Sequence, residues 1–258
     1  MVFAEPRDNR LLKSRGLRGA ASIRSRIEET LRLPRPFSPP DEWKQAPARL
    51  VVNYILGCLF HPETSVKWKA VTALGWIVNR MAEENLESAR NIMRRLMWSL
   101  NDESGGIGWG SAETMGEIMA VNGDLAREYH CILLSYVQER GNPLENPLLE
   151  RGVLWGIGRL AMVRPDLVKG CASHLIPFLR SPDPVHRGHA LWALGFVEEP
   201  VPDDLVEVLM RDATPIELYD GRELQSVRIE ELARRCRTGR SEVETGGSRE
   251  AAVRNSRA

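Results

Sequence analysis

The feature that most constrains this chain is that it repeats itself. Four segments of small and apolar residues end in glycine: Ala73-Leu74-Gly75, Thr114-Met115-Gly116, Gly156-Ile157-Gly158 and Ala193-Leu194-Gly195. The glycines lie 41, 42 and 37 residues apart. A unit of about 40 residues holds two helices and two turns but cannot bury its own apolar face, so such units must stack on one another. An amphipathic helix precedes each glycine segment, over roughly 46–60, 85–100, 124–140 and 166–180. The turns between them are His61-Pro62-Glu63, 101–108, 141–147 and Ser181-Pro182-Asp183-Pro184. A fifth, divergent unit starts near Asp203. There Glu217 to Leu224 enclose Asp220-Gly221, a hairpin signal, and a last helix follows from about Val227.

The segments flanking the repeats differ in composition. Residues 1–41 form a basic, Pro-rich leader with one short helix, marked by Ile23, Ile27 and Leu31 at helical spacing and ending at Pro34, Pro36, Pro39 and Pro40. Residues 42–236 are the repeat domain, and 237–258 are a polar tail expected to be disordered. Formal net charge is zero, yet residues 1–40 carry nine basic and four acidic side chains and the tail carries five and three, leaving the body at 21 against 28. An acidic body argues against nucleic acid as the partner. No window approaches ~20 apolar residues, which argues against a membrane span. The first residues do not read as a signal peptide. Cys58, Cys131, Cys171 and Cys236 form no C-x-x-C pair, and the first three sit in apolar helical runs, which suits a reducing, cytoplasmic setting.

The unit His186-Arg187-Gly188-His189-Ala190-Leu191-Trp192-Ala193-Leu194-Gly195, after its Ser-Pro-Asp-Pro turn, resembles a HEAT-like repeat of the phycobilisome-lyase type, and Val66 to Trp76 is similar. The resemblance covers about 43–235 and is to bacterial members of that repeat group. It implies an all-α fold, a right-handed α-α superhelix (solenoid) of about five HEAT-like helix pairs, with a small β-hairpin in the last repeat. Proteins with such repeats include scaffolds, adaptors, chromophore-lyase subunits and alkylpurine DNA glycosylases, so fold alone does not choose a function.

At about 100° per residue, one face of each glycine-bearing helix is apolar: Ala70, Val71, Leu74 and Ile77 in the first, Val153, Leu154, Ile157 and Leu160 in the third. The opposite face reads Trp68, Thr72, Trp76; Trp109, Glu113, Glu117; Arg151, Trp155, Arg159; and Gly188, Trp192, Phe196. Five of the seven tryptophans fall there. The second helix of each pair lines the concave surface in such solenoids. The stripe therefore predicts an open groove paved with Trp68, Trp76, Trp109, Trp155 and Trp192, with Glu113, Glu117, Arg151 and Arg159 selecting charge in a bound protein or peptide. Two other outcomes compete: the rings pack against one another, or the leader folds back into the groove.

A second candidate is the Gly-rich loop containing Asp102, Glu103, Ser104, Gly105 and Gly106. Such a loop can present backbone N–H groups to an anion, its carboxylates can hold a hard cation, or its glycines can permit tight packing between repeats. It lacks the Lys-Ser/Thr of a phosphate-binding loop and the spacing of an EF-hand. His186 and His189, three residues apart, have no third ligand nearby and are expected at a solvated helix start rather than on a metal. No hydrolase motif is present. The expectation is a non-catalytic protein- or peptide-binding scaffold, with no cofactor, no metal and no assigned oligomeric state. The alternatives are a HEAT-like DNA glycosylase, in which Trp109, Glu113 and Trp155 or Trp192 would be the matching residues, and a chromophore- or cofactor-lyase subunit.

Overall fold

The structure, a computed structural model, describes residues 23–101, 108–197 and 199–242, with side chains as far as 237. It is an α solenoid. Helix α1 (23–32) leads into α2 (Asp41–Gln45), α3 (Ala48–Cys58), α4 (Thr64–Glu84), α5 (Leu86–Leu100), α6 (Ser111–Val121), α7 (Gly123–Ser135) and α8 (Pro147–Val163). Then come α9 (Ala172–Leu175), α10 (Pro184–Leu194), α11 (Asp203–Leu209), strands β1 (Pro215–Tyr219) and β2 (Leu224–Arg228), and α12 (Ile229–Glu242). The inner helices α4, α6, α8 and α10 stack side by side, with α3, α5 and α7 behind them.

Local chemistry sets these boundaries. Asn85 and Asn122 are single extended residues that end one helix and cap the next, their side chains accepting from the Ser88 and Leu125 amides. Asn146 and Asp183 cap α8 and α10 in the same way, each followed by the proline suited to a first turn. The fourth outer helix, predicted as one piece over 166–180, is instead broken into a 3-10 turn at Pro165–Val168, α9, and a second 3-10 turn at Ile176–Arg180. Pro165 and Pro177 remove helix donors, and Gly170 adopts the left-handed region at φ 88°. The helix predicted over 124–140 ends at Ser135.

The repeat glycines supply space rather than flexibility. A methyl group on Gly116 would lie 2.6 Å from the Gly156 carbonyl oxygen, so α6 and α8 meet backbone to backbone. One on Gly75 would strike Glu117, and one on Gly158 would strike the Trp192 ring. Glycine is thus needed wherever the next inner helix projects a large side chain. Gly195 differs: it caps the end of α10.

The helix expected in the leader packs on the first pair. Ile27 and Leu31 are buried, Arg32 reaches Glu63 at 3.0 Å, and Lys69 donates to the Leu33 carbonyl. At the other end β1 and β2 form an antiparallel hairpin in the register Ile216↔Val227 and Tyr219↔Leu224. Among the described residues no helix is long and apolar enough to cross a membrane.

Candidate functional site

The tryptophan row does gather on the inner helices, but it does not pave an open groove. Trp155 is 0% exposed and Trp68 is 7% exposed. Their ring centroids are 4.7 Å apart, and Trp155 stacks on Trp192 at 5.9 Å. The expectation that all these indoles face solvent is corrected here, and the cover is the chain's own hairpin. Tyr219 stacks on Trp68 at 5.0 Å with planes 16° apart. Its hydroxyl lies 2.7 Å from Thr72 Oγ1, and its carbonyl oxygen accepts from Trp155 Nε1 at 2.8 Å. Ile216 fills the notch left by Gly188. In the described residues it is this strand, not the leader, that lies against the indole-bearing face of the inner helices. Burial pushes the Tyr219 hydroxyl up to about 12, with the Thr72 hydrogen bond opposing it.

The charged residues assigned to a partner are engaged with their neighbours. Glu113, buried, accepts from Lys67 Nζ at 2.8 Å. Glu117, also buried, holds Arg159 at 2.6 and 3.4 Å. Burial opposes the Arg159 charge, but Glu117 and, further off, Tyr219 and Asp220 outweigh it, so the guanidinium stays above its ordinary value. Arg151 pairs with Asp183 at 2.6 Å. Burial tends to raise the Asp183 carboxyl, yet the Arg151 hydrogen bond keeps it below the usual range. Each of the four is thus ion-paired within the stack, and Arg151 keeps 39% of its side chain exposed.

Trp76 is half-buried, with the Arg80 guanidinium 5.6 Å from its centroid. Trp192 is half-buried and meets Phe196 edge-on at 5.7 Å. Trp109 is 42% exposed at the start of α6. Gly110 abuts Leu59 and Gly108 abuts Ser99, and the residues next to those in sequence, Phe60 and Trp98, are 51% and 83% exposed. Trp98 lies on an outer helix, so no pattern drawn on the inner ones includes it. Asp102, Glu103, Ser104, Gly105 and Gly106 lie outside the described residues.

His186 and His189 are buried, not solvated. The turn at 181–183 and the start of α8 close over them: His186 Nε2 reaches the Pro147 carbonyl at 2.8 Å, and His189 Nδ1 the Arg151 carbonyl at 2.9 Å. Burial pushes His189 down to about 4. Its Nε2 has no hydrogen-bond partner among the described residues. No group of three metal-ligating side chains is gathered among the described residues.

No protein-family model matches the chain. An uncharacterized protein of Archaeoglobus fulgidus is 27% identical over 183 residues, covering 67% of this chain and 88% of that one. Among solved structures, a designed armadillo repeat protein in complex with the peptide (KR)4 superposes with a TM-score of 0.51 at 15% identity, over 92% of this chain and 95% of that one. A computationally designed armadillo repeat protein for modular peptide recognition gives 0.50 at 14% identity, over 93% and 95%. At these identities the likeness is one of fold, and the fold is that of the armadillo- and HEAT-like helical repeats.

Proposed function

We propose that the protein is a non-catalytic, protein- or peptide-binding scaffold whose ligand surface is the concave face, with the hairpin as its built-in occupant. One observation carries this: an extended strand, β1, already lies across the inner helices, with Tyr219 in an aromatic slot and its carbonyl held by an indole N–H. That is how a groove takes an extended segment. The armadillo neighbours, one solved with a peptide and one designed for peptide recognition, support the same class of role. The glycosylase alternative draws no support from the geometry, since Tyr219 already covers Trp68 and the carboxylates are ion-paired. Nothing in the site favours a chromophore or cofactor.

Exposure of Trp98 favours a second docking surface, at Phe60, Trp98 and Trp109. Affinity purification of the tagged full chain from its own host, followed by mass spectrometry, separates the two. Groove binding predicts that Tyr219→Ala enriches a partner and that adding Trp192→Ala loses it. Identical partner sets in wild type and both variants would sink the groove, and loss confined to Trp98→Ala would move the partner to the rim.

A further inference from the structure

We infer that the concave face is a concealed binding site for an extended segment of the pattern aliphatic-x-aliphatic-Tyr-acid, with β1 and its turn as an intramolecular stand-in; this rests on the groove reading above. The pattern is taken from what the inner helices contact. Gly188 opens a notch on α10 that a methyl group would close, and Ile216 fills it. Leu218, two residues on, is also buried. Tyr219 enters the slot of Trp68 and Trp155, with Thr72 at its hydroxyl. The hydroxyl contact distinguishes tyrosine from phenylalanine, because without it the half-buried Thr72 keeps only its longer bond to the Trp68 carbonyl at 3.4 Å. Asp220 follows, and its charge acts on Arg159, which lies 3.8 Å from where a Cβ on Gly221 would stand. Aliphatic, aliphatic, tyrosine and acid therefore occupy positions 1, 3, 4 and 5 of one run, the first matched by α10, the tyrosine by α4 and α8, and the acid by α8.

The hairpin is built to leave as a unit. Its strands bond to each other. Its turn is closed by Asp220, which accepts from the Arg222 and Glu223 amides and from the Gln225 side chain. Among the described residues two hydrogen bonds tie the hairpin to the inner helices, both through Tyr219. Lifting it breaks those two and leaves its own ladder whole. An outside segment then binds with an affinity reduced by the fraction of molecules that are open, so loosening the hairpin must raise apparent affinity.

The test uses the full chain and a fluorescein-labelled peptide with the sequence of residues 214–220, followed by anisotropy. The expected result is binding at least tenfold tighter to Ile216→Ala/Tyr219→Ala than to wild type. The peptide should lose at least tenfold when its tyrosine becomes alanine, and binding should vanish when Trp68→Ala is added. Equal affinity for wild type and double variant, or indifference to the peptide's tyrosine, overturns the inference. Should the double variant fail to melt cooperatively, hydrogen exchange on the unmodified protein decides instead. The Trp155 indole N–H, which lifting frees from the Tyr219 carbonyl, must then exchange faster than the amides around Ile157 in α8, and equal rates would make the hairpin core and overturn the inference. If the peptide fails while Trp192→Ala still costs the purified partner, the groove reading survives and only the pattern falls.

Discussion

Two glycines in this protein should respond in opposite directions to the same substitution. Gly57 sits near the end of α3 with nothing within 4 Å of an added Cβ. Alanine there gains helix propensity of up to about 1 kcal/mol. Gly116 lies inside α6, where the propensity gain is similar. Its added methyl, however, would stand 2.6 Å from the Gly156 carbonyl oxygen and 2.8 Å from the carbonyl carbon. Both are backbone atoms of the packed helix α8, so no side chain can swing away. Overpacking costs about 1–3 kcal/mol, and contact with fixed backbone places this case near the upper end. The net for Gly116→Ala is then a loss of about 2 kcal/mol. At about 2–4 °C per kcal/mol for a chain of this size, Gly57→Ala should raise the melting temperature by about 2–4 °C and Gly116→Ala lower it by about 4–8 °C. Circular dichroism melts of the three proteins measure both shifts. A Gly116→Ala protein that melts at or above wild type would refute the claim that the repeat glycines exist for close helix approach.

Three further perturbations test the site. Arg159→Met leaves the buried Glu117 carboxylate alone and should cost about 3–5 kcal/mol, most of it recovered by adding Glu117→Gln; urea titrations of the single and double variants measure the difference. His189 is held neutral by burial, down to about 4, with Glu113, Lys67 and His186 facing it, whereas the unfolded chain protonates it near its ordinary value of about 6.5. Stability from this group is complete above that value and is lost as pH falls from about 6.5 toward 4, by about 3 kcal/mol at most; unfolding midpoints at pH 7.5 and 4.5 should therefore differ less in His189→Asn than in wild type. Cys131 is exposed with His130 Nε2 3.3 Å from its sulfur, while Cys236 is buried and burial pushes Cys171 up to about 12. A disulfide reagent should titrate one fast thiol in the native protein, and Cys131→Ser should remove it.

Periodicity is local information, and it made the solenoid legible. The glycine spacing located the inner helices because each repeat must leave room for its neighbour, and Asp220-Gly221 announced the hairpin. Where that hairpin goes was not legible, because Tyr219 meets Thr72 across 147 residues and no repeat pattern links the two. The helical wheel found the face that carries the indoles but is silent about what covers it. Lys67, the partner of Glu113, was passed over because it stands just outside the stripe. The two histidines were misread for a related reason: a pair at a helix start looks solvated until the carbonyls of Pro147 and Arg151 on the next helix are in place. The outer-helix Trp98 fits no stripe at all, since an exposed aromatic side chain carries no packing period.

The ion pairs give the charged residues of the inner helices a task within the stack itself. Lys67 on α4 reaches Glu113 on α6, Glu117 on α6 reaches Arg159 on α8, Arg151 on α8 reaches Asp183 at the start of α10, and Arg187 on α10 reaches Asp212. Each successive inner element is joined to the next by one pair. Sliding α6 by a turn would bring Glu117 to Lys67 and leave Arg159 opposite Val121, a buried charge without its partner. Such a slip costs far more than the packing it changes, because an uncompensated charge in the interior is expensive. The charges therefore specify the register of the stack. Arg159, paired with Glu117 and standing 3.8 Å from where a Cβ on Gly221 would lie, carries charge to both the scaffold and the hairpin that lies on it.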